Sequence, residues 1–361
     1  MTSKVRVGVI GTSPFAESMH LGPLASHPQA EIAWICGRNR ARAEEIAQRF
    51  SIPQVTTDAA ELIRADIDTV VIVTPDDLHY PLTMAALEAN KHVFCEKALA
   101  MNAAQAHEMY ETAEKKRRVH MTLFTFRVHP AVAHMRALAQ QGYAGKLFQG
   151  QLSYLLSLGR HHDYLWRADS RISNGMVADL GSHLADLARL LFGEVSAVAA
   201  RAAFYYPRTL PGGGKLEQNN DSAVLLLAFE SGAQATFQVS AVAHQGESFQ
   251  NIRVEVFGTR GTLALESPNI RGASLLGAQE EGQPLLPIAV PEELWRGADA
   301  ALDPAARFEQ FYRVAPVGER LFIDAILSGT QPSPSFYDGW KAQQVIDAAL
   351  EAAKSRKWVE I

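Results

Sequence analysis

The sequence predicts an α/β domain built on a parallel sheet, followed by an α+β domain in which an antiparallel meander carries helices on one face. Over residues 4–122, short apolar runs alternate with helical patterns, as βαβ units require. Beyond about Phe124 the alternation gives way to successive β-rich runs joined by hairpin signals. The 361 residues suffice for about two hydrophobic cores, divided here as 1–123 and 124–361.

The first domain's strands are expected at Val5–Ile10, Ile32–Cys36, Thr69–Val73, His92–Cys95 and Val119–Leu123. They are continuous apolar runs, as expected of strands covered on both faces. Helical patterns fill 14–27, 40–49, 79–90 and 102–117. In the second domain a helix near 130–141 leads to a long strand, Lys146 to Leu156. A polar irregular stretch, Gly159 to Asn174, precedes a helix that runs to Phe192. Strands follow at Val195–Tyr206, Ser222–Glu230, Ala233–Val242, Phe249–Gly258 and Thr262–Glu266. Ser231-Gly232 and Thr259-Arg260-Gly261 read as hairpin turns, and 207–219 as a mobile loop. Residues 267–303 are expected to be irregular, with helices near 305–328 and 338–354 and a short terminal strand.

Composition narrows the function. Apolar residues make up 47 % and charged residues 20 %, with a net charge of −5 and no basic stripe, so nucleic acid is not an expected partner. The basic run Lys115-Lys116-Arg117-Arg118 falls at a helix end, where cations complement the dipole. No apolar stretch approaches the ~18 residues of a membrane span, and Val5–Ile10 is too short for a signal sequence. Two isolated cysteines, Cys36 and Cys95, form no disulfide framework, so a reducing, cytoplasmic compartment is expected.

The turn after the first strand reads Gly8-Val-Ile-Gly11-Thr12-Ser13-Pro14-Phe15-Ala16. In a dinucleotide-binding turn the first Gly permits the tight bend, the second admits pyrophosphate and the third lets helix and strand pack. Gly11 and Ala16 fill the first and third roles, and Ser13 replaces the second glycine. Serine is small, caps helices and offers a hydroxyl to phosphate. Pro14 suits the first helical position. The second strand ends Cys36-Gly37-Arg38-Asn39, without the carboxylate that accepts from an NAD ribose. A guanidinium there binds a 2′-phosphate, so Arg38 points to NADP over NAD, with Asn39 a further polar contact. Thr74, Pro75 and His79 follow the next expected strand; His79 reads more as a helix start than as a chemical group.

Two further features carry chemistry. His92-Val-Phe-Cys-Glu96-Lys97 delivers Glu96 and Lys97 to the same sheet edge. Asp179-Leu-Gly-Ser-His183 places a carboxylate and an imidazole one helical turn apart, where the carboxylate orients the ring for proton transfer. His161-His162-Asp163 has the residue types of a metal site but no third ligand, so no metal is expected.

Taken together, the Gly11 turn, Thr74-Pro75, Glu96-Lys97, Trp166-Arg167, Gly175, Asp179, Gly181 and His183 resemble the Gfo/Idh/MocA oxidoreductase family over nearly the whole chain. The resemblance implies a Rossmann domain followed by a domain with a large, predominantly antiparallel open sheet. That sheet commonly forms the oligomer interface, so a homodimer or homotetramer is implied. It also implies NAD(P)-dependent hydride transfer at a secondary alcohol or ketone of a sugar, cyclitol or similar polyhydroxylated molecule. Lys97 matches the family's Glu-Lys lysine, Asp179 its carboxylate and His183 its histidine. Ala98 stands where the family usually has proline, and Ser173-Asn174-Gly175 is a less glycine-rich start to the helix.

The expected catalytic set is Lys97, Asp179 and His183. His183 is the favoured base and Lys97 stabilises the developing alkoxide, with the reverse assignment open. Expected cofactor contacts are Gly11, Thr12, Ser13, Pro14, Phe15, Gly37, Arg38, Asn39, Thr74, Pro75, His79, Glu96 and Lys97. Expected substrate contacts are Lys97, Arg127, Trp166 and His183, although Arg127 serves equally as a structural interdomain ion pair. An NAD-dependent glycoside hydrolase and a non-catalytic NAD(P)-binding sensor are the competing functions on the same scaffold.

Overall fold

The computed structural model describes residues 4–269 and 272–361. Residues 1–3 of the first predicted domain and 270–271 of the predicted irregular stretch lie outside the described residues. The chain forms two compact units: residues 1–123 with 310–341, and residues 124–309 with 342–361. The segment 310–341, which the sequence reading placed in the second domain, therefore builds the first unit.

Among the described residues the first unit holds a six-stranded parallel sheet: β1 (Val5–Ile10), β2 (Ala30–Cys36), β3 (Gln54–Thr56), β4 (Thr69–Ile72), β5 (His92–Cys95) and β6 (His120–Thr122). Their order, β3-β2-β1-β4-β5-β6, is that of the doubly wound dinucleotide fold. Both sheet faces are covered, and Val7, Val9, Val70, Val71, Val93 and Phe94 are fully buried. The predicted helix at 14–27 is a π-helical turn, Ala16–Leu21, continued by Gly22–Ser26. Strand β3 and the helix Ala59–Arg64 escaped the sequence reading because both are short; Asp58 caps the latter by accepting from Ala60 N at 2.9 Å. The predicted helix at 305–328 is two helices, Pro304–Val314 and Gly318–Ser328. Within the unit the second of them lays Phe322 edge-on to Phe94.

The second unit is built on a mixed sheet, nine-stranded among the described residues: β7 (Leu147–Leu156), β8 (Val195–Ala203), β9 (Ser222–Phe229), β10 (Gln234–Ser240), β11 (Gln250–Gly258), β12 (Gly261–Asn269), β13 (Gly272–Ala278), β14 (Leu286–Pro287) and β15 (Val359–Glu360). The order is β14-β13-β12-β11-β7-β10-β9-β8-β15. It departs from a simple meander, because β7 lies between β11 and β10 and pairs parallel with β10. The two hairpins stand where predicted, with Gly258 opposite Gly261 and with Gly232 at a positive φ of 82°. Part of the stretch predicted to be irregular is strand, β13 and β14. The helix Gly181–Phe192 covers one face, and on the other Val224 and Leu226 of β9 are 51 % and 47 % exposed.

The predicted mobile loop at 207–219 is tied down near both ends. Buried Arg208 donates to Gly159 O at 2.6 Å, and Asn219 Nδ2 donates to Ser173 O at 2.6 Å. Among the described residues no helix is long and apolar enough to cross a membrane.

Candidate active site

In the first unit, register places the functional turns on one edge. Cys36 of β2 pairs with Ile10 of β1, Ile10 with Ile72 of β4, and Ile72 with Cys95 of β5. The ends of four adjacent strands thus form one row. Gly37-Arg38-Asn39, Gly11-Thr12-Ser13, Thr74-Pro75 and Glu96-Lys97 all leave the sheet from it. In open α/β sheets the carboxyl edge is where ligands bind.

Gly11 has φ +133°, and a Cβ built there would lie 2.2 Å from Val73 O, so only glycine fits the turn. Ser13 Oγ accepts from Ala16 N at 3.1 Å, which makes it a helix cap. Thr12 is half-buried, while Ser13, Pro14 and Phe15 face solvent. Among the described residues Thr74 Oγ1 is buried without a hydrogen-bond partner, a polar group that a ligand can satisfy. Arg38 is exposed; burial holds the nearby Asp77 carboxyl above its ordinary range, a rise that the Arg38 charge, among others, opposes. Asn39 is spoken for in part: its Oδ1 caps the next helix by accepting from Arg42 N. A glycine-cradled turn, a cap hydroxyl and an orphaned threonine hydroxyl on one edge suit a nicotinamide dinucleotide.

His79 is not a direct contact in this arrangement. It is fully buried, with Nδ1 2.7 Å from Ala98 O and Nε2 2.9 Å from Thr74 O. Carbonyls only accept, so both nitrogens donate and the ring is an imidazolium. Burial works against that charge; the Cys95 sulfur, Asp76 and the Ala98 carbonyl outweigh it and raise the pKa to about 10. His79 therefore ties the backbone beside Thr74 to that beside Lys97. Lys97 itself is half-buried, its peptide bond to Ala98 is cis, and its N–H donates to Glu96 Oε2 at 3.2 Å.

The second unit supplies the other cluster. Gly175 has φ +72°, and a Cβ there would meet Asn220 O at 2.6 Å. Asn220 fastens the start of the helix Gly175–Asp179: its Oδ1 accepts from Val177 N and its Nδ2 donates to Asn174 O, both at 2.9 Å. The helix breaks at Leu180, so Asp179 ends one segment and His183 lies in the first turn of the next. Arg167 Nε lies 2.9 Å from Asp179 Oδ2, and its guanidinium stacks 4.3 Å over the Trp166 ring. Trp166, read from sequence as a substrate contact, is thus also the platform for the arginine that meets Asp179.

His183 is 6 % exposed and bordered by Phe124, Phe126 and Tyr154, at ring-centroid distances of 6.1, 5.2 and 5.9 Å. Tyr154 was missed from sequence. It sits on an inward position of β7, and only the alternating pattern of that strand hints at it. Burial first and the Asp179 charge second raise its hydroxyl's pKa, so it stays protonated. Arg127 is committed within this unit. Its guanidinium grips the fully buried Asp186 through both carboxylate oxygens, with Nε 2.9 Å from Oδ2. It makes a structural ion pair, but inside one unit rather than between domains. His162 Nδ1 donates to Pro207 O at 2.8 Å.

Comparisons with known proteins agree with this geometry. Residues 5–124 match the oxidoreductase family with an NAD-binding Rossmann fold (GFO/IDH/MocA), and residues 132–264 match the GFO/IDH/MocA C-terminal domain. Levoglucosan dehydrogenase of Pseudarthrobacter phenanthrenivorans is 28 % identical, covering 96 % of this chain and 93 % of its own. Myo-inositol 2-dehydrogenase of Thermotoga maritima is 26 % identical, covering 99 % and 98 %. A levoglucosan dehydrogenase structure in complex with NADH and levoglucosan superposes with a TM-score of 0.87 at 27 % identity, over 99 % of this chain and 100 % of that one.

Proposed function

The chain belongs to the Gfo/Idh/MocA oxidoreductase family, and from that premise we propose that it is an NAD(P)-dependent dehydrogenase of a secondary hydroxyl on a sugar or cyclitol. The observation that carries this reading is a glycine-cradled nucleotide turn in the same chain as a second-unit group in which Tyr154 borders His183 and feels the Asp179 charge, with Arg167 on Asp179. The named relatives are dehydrogenases, which supports this reading over the hydrolase and the sensor.

A bound nicotinamide supplies the hydride acceptor. Gly11, Thr12, Ser13 and Thr74 would hold the dinucleotide, with Pro14, Phe15 and Pro75 on the same edge. His183 takes the hydroxyl proton. Asp179, itself held by Arg167, steadies the imidazolium that results, and Tyr154 keeps the pocket wall polar yet protonated. Lys97 donates to the reacting oxygen and stabilises its developing charge. The tests are absorbance of reduced nicotinamide with levoglucosan, myo-inositol and a panel of further sugars. Turnover of at least one supports the reading; turnover of none defeats it.

Two finer points belong to the same proposal. Arg38, with no carboxylate ending β2, favours NADP, against which stands the NADH in the solved relative. A second copy of the chain covers the open face bearing Val224 and Leu226; light scattering on the purified protein reads the mass of the assembly, and Val224→Lys should lower it. Free, buried Cys36 and Cys95 fit a reducing, cytoplasmic setting.

A further inference from the structure

Behind Glu96 lies a buried polar network that the proton transfer does not use. His20, on the π-helical turn after the nucleotide-binding loop, is fully buried. Its Nδ1 is 2.5 Å from Glu319 Oε1 and its Nε2 is 3.2 Å from Glu96 Oε1. Glu319, fully buried on the helix Gly318–Ser328, also receives the Tyr312 hydroxyl at 3.4 Å. The edges of Phe15 and Phe94 close round the imidazole. π-Helical turns cluster at functional sites, and here the turn lies next to the nucleotide-binding loop.

A carboxylate faces each ring nitrogen, Glu319 as a hydrogen-bond partner and Glu96 as an ion-pair contact outside hydrogen-bond geometry, so His20 is a bridging imidazolium. It offsets two buried acidic groups that would otherwise be costly. The other oxygen of Glu96 accepts from Lys97 N, so the Glu96 side chain is held from behind and in turn holds the backbone of Lys97.

We propose that His20 and Glu319 are positioning residues for the Glu96–Lys97 turn, acting through the Glu96 carboxylate to set where Lys97 is presented. The proposal rests on the dehydrogenase reading only for its consequence in turnover; the network itself stands on geometry within the first unit.

The test has two arms. In histidine-labelled protein without cofactor or substrate, the His20 imidazole keeps both protons through pH 8, and Glu96→Gln and Glu319→Gln each lower the pH at which it releases one. In turnover, with the sugar of the panel oxidised fastest, Glu319→Gln and His20→Gln lower kcat by about tenfold to a hundredfold. The sugar KM and the affinity for reduced cofactor, read by fluorescence, stay within about threefold. Adding His20→Gln to Glu96→Gln costs little more than Glu96→Gln alone, since both act through one group.

A His20 that is neutral at pH 7, or that ignores Glu96→Gln, overturns the proposal. So does a kcat unchanged in Glu319→Gln, or losses that multiply in the double variant. Should His20→Gln not fold, Glu319→Gln carries the same comparisons, with Tyr312→Phe as a milder variant. A parent that oxidises no sugar defeats the dehydrogenase reading alone, and the imidazole arm then decides the network.

Discussion

Two buried histidines, one in each unit, sit in contrasting surroundings. His20 has no solvent exposure and a carboxylate on each ring nitrogen. His183 retains 6 % exposure and is bordered by three aromatic rings. A proton clamped between two acids in a closed core serves as fixed charge, because moving it would strand a buried carboxylate. A proton acceptor needs a path to its substrate and freedom to change charge. The contrast teaches that burial alone does not set a histidine's surroundings: one enclosed ring lies between two carboxylates, the other among aromatic rings.

The largest effect should come from removing His183. His183→Ala is expected to lower kcat by about 10²–10⁴-fold while cofactor affinity, read by fluorescence titration, holds. Unchanged turnover would move the role of base to Lys97. Next, Gly11→Ala should abolish cofactor binding and cost at least about 1–3 kcal/mol of stability, since the turn's φ of +133° excludes a side chain. Denaturant unfolding and fluorescence titration measure the two losses. Smaller again, Arg38→Ala should raise the KM for NADP by about tenfold or more and leave that for NAD nearly unchanged, the loss of one charge-assisted contact. Equal effects on both cofactors would remove Arg38 from the 2′-phosphate.

The smallest effect separates the two histidines by pH. Burial lowers the His20 pKa, but Glu319 and Glu96 outweigh it and raise it from 6.5 to about 10. A raised pKa means that the folded state binds the proton more tightly. The stabilisation is fully present below about pH 6.5 and is lost as pH rises through about 10. The melting temperature should therefore fall by a few degrees across that window. In Glu319→Gln the His20 part of the fall should move to lower pH while the part from His79 stays in place, and in His183→Ala the profile should match the parent.

Much of the candidate site is legible in the sequence because its elements are local. The Gly11 turn, the Glu96–Lys97 strand end and the Asp179/His183 spacing are each read from a few consecutive residues. His79 was placed at a helix start, where it lies, yet its bonds to two carbonyls needed the fold. The sequence leaves Arg127 open to two roles because Asp186 is 59 residues away. Tyr154 carried no signal beyond strand alternation.

The sequence by itself determined what repeats or bends over short range: the parallel strands as unbroken apolar runs, the hairpin turns, the capped helices and the glycine that the nucleotide turn demands. Only the tertiary structure decided what pairs across distance. It inserted β7 beside β10 in parallel, returned residues 310–341 to the first unit, and brought Glu319 to His20 across 299 residues. Periodicity reports which face of an element is apolar, whereas a buried ion pair is chosen by packing, and packing leaves no period in the chain.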